Sequence, residues 1–287
     1  MTRYHIGMSG WTFPGWRKKF YPKDLVQKKE LFYASRQLNS LEINGTFYGL
    51  QKPATFQNWF DETPDDFVFS VKATQYITHV HRLKEVLEPL ATFLGSGLLC
   101  LKNKLGPILW QFPPNFTLKD DRVEKFLKIL PRDSKSAAKL AKKHGYKIEG
   151  KYFYDVKEDF PIRHAFEFRH KSYYESPHFL ELLRHHNAAF VLTHSSGLYI
   201  ENITADFIYA RMGGEGKEYS KGYPDKTLNW WYKRLRTWEK GKQPKDAILV
   251  GEQKKIKKIT DTFIYFGTEK KVFAPQDALN LSKKLLG

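Results

Sequence analysis

Glu42, Lys72, Glu167, Arg169 and Arg211 are the residues of this chain whose types could do chemistry together. They fall within or at the end of short apolar stretches: "SLEIN" (40–44), "FVFSVKA" (67–73), "HAFEFRH" (164–170) and "DFIYARM" (206–212). Two carboxylates can divide the work of a general acid and a general base. Lysine and arginine beside them can hold an anionic group and keep the carboxylates ionised. Glu42, Glu167 and Lys72 are therefore the catalytic candidates. Asn44, Gln111, Arg169 and Arg211 are candidates to bind substrate. Ion pairs that merely fill a cleft are the plain alternative, but burying so many charges without function is costly.

Other groups carry weaker chemistry. "THVHR" (78–82) offers His79 and His81. No cofactor is expected; a divalent metal, if one were held, would take Glu42, Glu167 and His79, but the partner ligands that a metal site needs at other strand ends are missing. His194 reads as a local hydrogen-bonding group. "RMGGEGKEYSKGYPD" (211–225) is glycine-rich, and Gly213, Gly214 and Gly216 would let backbone N–H groups approach a phosphate near Lys217 or Lys221. It matches neither a dinucleotide fingerprint nor a P-loop. Ser9, Ser195 and Ser196 lack the glycine pattern of a nucleophile elbow. Trp11, Trp16, Phe47, Tyr48 and Tyr76 could stack on a sugar or a base, or simply pack loops together.

These residues need elements to bring them together. Eight strand-like stretches recur, at 4–10, 40–44, 67–73, 106–112, 164–170, 188–194, 206–212 and 261–267. Helix-like stretches with apolar residues near a 3.6 period lie between most of them, at 28–39, 53–62, 176–187 and 224–240. Pro53, Pro177, Pro224 and Pro275 sit where first helical turns would begin. Eight alternating units predict one (β/α)8 barrel spanning 1–287, with its first and last strands paired. About eleven residues, "SSGLYIENITA", separate the sixth and seventh strands, so the sixth helix is expected to be short or missing. The stretch 113–163 reads as an insertion with two helices between strands four and five.

Strand alternation then sorts the faces. His5, Gly7, Ser9 and Trp11 share one face of the first strand. Glu42 and Asn44 oppose Leu41 and Ile43. Lys72 follows Val68 and Ser70, Gln111 follows Leu109, and Glu167 and Arg169 follow Ala165. Arg211 follows Phe207 and Tyr209. Small or polar residues keep to one face, with the most polar near the C-terminal end. Edge exposure cannot explain this in a barrel, which has no edges. An inner face opening at a C-terminal mouth can.

Composition bounds the rest. The chain has 287 residues, 41% hydrophobic and 16% aromatic, enough for a sizeable core. A single cysteine, Cys100, excludes an internal disulfide framework and suits a reducing compartment. The start "MTRYHIGMSGW" lacks the apolar core of a signal peptide, and no run approaches the ~18 apolar residues of a membrane span. A soluble, cytoplasmic protein without a membrane partner is expected; the oligomeric state is not legible. The formal net charge of +17 is mostly dispersed lysine. It favours polyanions through non-specific electrostatics.

The stretches "GMSGW" (7–11), "LEINGTFY" (41–48), "FVFSVKATQYITH" (67–79), "KLGPILWQFPP" (104–114), "AFEFRHKSYY" (165–174), "TADFIYARMGG" (204–214) and "YSKGYPD" (219–225) resemble the YecE-like family, domain of unknown function 72. The resemblance runs through nearly the whole chain in order. It implies a TIM barrel and a rim of motif residues, but no reaction. Trp11, Tyr48, His79, Tyr219 and Tyr223 lie within those motifs and are expected to contact substrate. The chain departs from the family near its end, where Gly267 and Thr268 stand in place of asparagine or aspartate.

Two functions are thus expected from the sequence. One is an enzyme acting by glutamate acid/base chemistry on a phosphorylated or carboxylated small molecule held at the mouth. The other is a nucleic-acid-binding protein, or a phosphodiesterase, that gathers a phosphate backbone on its basic surface. Replacing Arg169 by methionine is expected to abolish anion binding and, by leaving a buried glutamate unpaired, to cost ~3 kcal/mol or more.

Overall fold

The computed structural model describes residues 2–194, 197–214, 216–252, 254–267 and 271–287. Nine parallel strand segments form one sheet: β1 (Arg3–Ser9), β2 (Ser40–Ile43), β3 (Val68–Lys72), β4 (Leu105–Gln111), β5 (His164–Glu167), β6 (Ala189–Phe190), β7 (Leu192–Thr193), β8 (Phe207–Met212) and β9 (Asp261–Phe266). Their order is β6-β5-β4-β3-β2-β1-β9-β8-β7. β6 and β7 are two halves of one stave broken at Val191. The first half pairs with β5 and the second with β8, which carries the sheet round a nearly closed barrel. The expected pairing of first and last strands is present, from Arg3↔Asp261 to Met8↔Phe266.

Helices follow the strands where the periodicity places them. α1 (Glu30–Gln37) follows β1, and α2 (Gly45–Tyr48) and α3 (Pro53–Glu62) follow β2. α4 (Leu87–Gly95) lies between β3 and β4. The insertion before β5 holds α5 (Arg122–Ile129) and α6 (Ser134–Ala141), the latter capped by the Asp133 side chain accepting from the Ser136 N–H. α7 (Pro177–His185) starts with Ser176 accepting from the Phe179 N–H, a side-chain cap that satisfies a first-turn donor. α8 (Asp225–Glu239) and α9 (Ala274–Leu286) complete the ring. Between β7 and β8 the described residues form no helix.

Each strand buries two faces. Outward residues such as Phe166, Phe168, Ile43 and Ile264 pack under the helices in one large apolar core. Inward residues form stacked layers. At the N-terminal end Asp261 accepts from His5, Arg3 and Arg163. The middle is apolar, with Leu109, Ala165, Ala189, Val191, Phe207 and Phe263 among its members. Above them the Tyr209 and Tyr265 hydroxyls meet Ser70 Oγ and Ser40 Oγ at 2.6 and 2.7 Å. The layer above these hydroxyls is charged. Among the described residues no helix is long and apolar enough to cross a membrane.

Candidate active site at the barrel mouth

Strand ends deliver the charged layer. Arg211, at the end of β8, donates Nε and Nη2 to the two oxygens of Glu42 on β2, each at 3.0 Å. Its Nη1 donates to Glu167 Oε2 on β5 at 2.7 Å. Glu42 is completed by the Tyr209 hydroxyl at 2.8 Å and Ser9 Oγ at 2.9 Å. Glu167 Oε1 accepts from Gln111 Nε2 at 2.7 Å and from Arg169 Nε at 3.2 Å. Gln111 Oε1 in turn accepts from Lys72 Nζ at 2.7 Å. The Lys72 ammonium also sits 3.8 Å from the centre of the Phe47 ring, a cation–π contact. Glu42, Lys72, Glu167, Arg169 and Arg211 thus form one cluster drawn from β2, β3, β8 and the end of β5, with Gln111 of β4 linking Lys72 to Glu167.

Charge inside the cluster is unequal. Glu42 and Glu167 are fully buried. Burial alone would raise both carboxyls, but it is outweighed by Arg211 acting with Tyr209 and Lys72 at Glu42 and with Arg169 and Gln111 at Glu167: Glu42 is held below the usual carboxylate range and Glu167 is brought down to about 2. Arg211 rises in turn, since the two glutamates overcome its own burial. Lys72 has no carboxylate within ion-pair reach among the described residues. Burial first, and then Arg211, push its ammonium down to about 8 against the pull of the glutamates. Three cations stand against two carboxylates, an excess of one positive charge while Lys72 is protonated. Arg169 holds that excess at the surface: its side chain is 41% exposed, and among the described residues only its Nε is engaged within the protein.

The remaining expected residues divide into three groups. Trp11 and Asn44 line a cavity of about 350 Å³ together with Ser9, Gly45, Trp59 and Lys271. Ser9 belongs both to that cavity and to the shell of Glu42. On another side of the mouth, Tyr48 is 76% exposed at the end of α2. His79 packs edge-on against Phe47, bonds Thr78 Oγ1 at 2.8 Å, and is pushed toward its neutral form by burial and then by Lys72, Arg169 and Arg82. Tyr219 and Tyr223 lie elsewhere. They surround His194, whose Nδ1 is 3.2 Å from the Tyr223 hydroxyl, and among the described residues none of their hydrogen-bond or ring partners belongs to the charged cluster.

The glycine-rich loop also has a packing role. A Cβ at Gly214 would meet the Tyr223 and Tyr219 rings at 3.0 and 3.1 Å, and its φ of +62° favours glycine. His81 Nδ1 faces the Lys84 carbonyl. Among the described residues no group of three or more His, Cys, Asp or Glu side chains is placed to hold a metal ion. Ser195, Ser196 and Thr268 lie outside the described residues. Lys271, just past them, brings the eighth loop to the cavity wall.

Two expectations change in detail. Arg211 was expected to share an anion with Arg169, but the two glutamates engage its Nε, Nη1 and Nη2, so Arg169 is the arginine with donors left over. Loss of Arg169 would not leave Glu167 unpaired, because Arg211 and Gln111 still donate to it. Sequence reasoning missed Tyr209 and Ser9 as members of the site. The signal was present: each alternates onto the inner face, two residues from Arg211 and from Gly7 respectively. Phe47 is among the aromatics singled out as able to stack on a ligand, but its contact with Lys72 had no alternation signal, since it comes from α2 rather than from a strand.

A nearly closed parallel α/β barrel with polar side chains converging at the carboxyl ends of its strands defines the TIM-type class, whose sites lie at that mouth. Within that class the chain belongs to the DUF72 family: the model described as "Protein of unknown function DUF72" matches residues 5–287. It is 31% identical to UPF0759 protein YunF of Bacillus subtilis over 124 residues, which is 42% of this chain and 43% of YunF. It is 30% identical to UPF0759 protein YecE of Escherichia coli K12 over 122 residues, 38% of this chain and 42% of YecE. The chain thus spans less than half the length of the curated relatives it matches. A crystal structure of a DUF72 family protein from Thermotoga maritima superposes with a TM-score of 0.72 at 22% identity, covering 99% of this chain and 100% of that one. One from Enterococcus faecalis gives 0.66 at 16% identity, covering 99% and 98%. These two likenesses speak to the fold alone.

Proposed function

We propose that the mouth is the active site of an enzyme that holds a phosphorylated or carboxylated small molecule on Arg169 and moves a proton through Lys72. The observation that carries this reading is the unequal cluster: a buried lysine without a carboxylate partner beside a half-exposed arginine with free donors. Arg169 offers the planar fork that suits carboxylate and phosphate oxygens. Glu42 and Glu167, held ionised by Arg211, serve as bases or as fixed negative charge rather than as acids near neutrality. Lys72, brought down to about 8, is the cluster member whose proton is exchangeable there. The sequence pointed to glutamate acid/base chemistry; the lowered Lys72 ammonium supports giving the acid role to Lys72 instead.

Calorimetric titration with inorganic phosphate tests the anion site. Arg169→Met should weaken binding by about tenfold to a hundredfold, the usual worth of a hydrogen bond to a charged group. The same variant should lose less than about 1 kcal/mol of stability, because the Arg169 contact is partly solvated. Unchanged phosphate binding in the variant would remove Arg169 from the site.

A further inference from the structure

We propose that the aromatic cavity beside Ser9 receives a flat ring of the same substrate whose anionic group Arg169 holds, so that the substrate class is a ring-bearing anion such as a nucleoside monophosphate. The inference rests on the anion-site reading and extends it across the mouth. Ser9, at the end of β1, lines the cavity and donates to Glu42 Oε1. From there hydrogen bonds run through Arg211 and Glu167 to Arg169, past the end of β5. The cavity and Arg169 therefore stand on different sides of one charged floor, and a ligand that fills both passes over it.

The wall has the chemistry of a ring site. Trp11 and Trp59 meet edge to face, with centroids 5.3 Å apart and planes at 83°, and form an apolar corner. Phe13 and Trp16 extend it. The volume of about 350 Å³ lies at the lower end of the range for small-molecule sites. Stacking on such faces suits any nucleobase, because every base has a π face. A polar edge is provided by Asn44, which lines the cavity and whose buried Oδ1 has no hydrogen-bond partner among the described residues. Gly45 lines the same cavity, and a Cβ added there would meet nothing closer than Gln51 Nε2 at 4.0 Å. A larger residue at that position can fill the cavity without displacing the fold.

Titrations of the full chain with inorganic phosphate, ribose phosphate, glucose phosphate, adenosine and adenosine monophosphate separate the two halves of the site. Adenosine monophosphate should bind about tenfold or more tightly than ribose phosphate, the order expected for one stacked base. In Gly45→Leu its affinity should fall to that of ribose phosphate. Arg169→Met should weaken all three phosphate esters while leaving adenosine alone as it was. Equal affinities for adenosine monophosphate and ribose phosphate in the wild type would overturn the ring cavity. So would a preference for glucose phosphate, which would mark a sugar site. Loss of the Arg169 effect with the base preference intact would instead overturn the anion reading.

Discussion

Arg211 neutralises two buried carboxylates at once, and that makes it the most exposed weakness of the mouth. Arg211→Met would strand Glu42 and Glu167, with only neutral donors and Arg169 left to them. Breaking a buried pair from one side costs about 3–5 kcal/mol, so a urea melt should show a loss of that order. An unchanged midpoint would mean that the carboxylates find other partners. Acid should expose the same dependence. Glu167 has a folded value of about 2 against an ordinary 4.5, so its stabilisation is complete above 4.5 and is lost as pH falls toward 2. Lys72 acts in the same direction in a higher window: its folded value of about 8 lies below the ordinary 10.5, so stability rises as pH climbs between them. Lys72→Met should flatten the alkaline arm in thermal melts. At this scale the sequence was legible through the pleat. Alternation places Glu42, Lys72, Gln111, Glu167 and Arg211 on one face, and they do meet. It cannot tell which arginine the glutamates consume, because that depends on how far each strand end stands above the floor.

Strands and helices were legible for a different reason. Apolar runs bounded by turn residues mark the staves, and proline marks the starts of α3, α7 and α9. The break at Val191 left no trace in the sequence, because it arises when one stave changes partner: the Val191 N–H donates to Phe166 O, whereas the His194 N–H donates to Arg211 O. The turn at Tyr76–Val80 that carries His79 was equally invisible, since its i→i+5 winding has no characteristic residue pattern. One glycine fixes the approach of two staves. A Cβ at Gly7 would lie 1.8 Å from Ser40 O, inside the β1–β2 pair. Gly7→Ala should therefore push these strands apart beneath Ser9 and Glu42, at a cost near or above the ~3 kcal/mol upper end of overpacking. A thermal melt within a few degrees of the wild type would show that the barrel absorbs the methyl group.

For the molecule as a whole, the charge of +17 sits mostly on scattered lysines and should act without sequence preference. Duplex DNA should bind weakly, with affinity falling on a log–log plot against salt by about 0.9 per phosphate contact. Tight binding that survives a rise from low to moderate salt would indicate a dedicated nucleic-acid surface and would favour the second function expected from the sequence. Closure of the barrel carries one more consequence. Its seam joins Arg3 to Asp261 and Met8 to Phe266, staves separated by most of the chain. While the chain is still emerging from the ribosome, β1 waits without its second neighbour until the final stave is made. Contacts of such long range pay their loop-closure entropy late and fold slowly. The nascent protein spends that interval with two open sheet edges, the state in which chaperones would meet it.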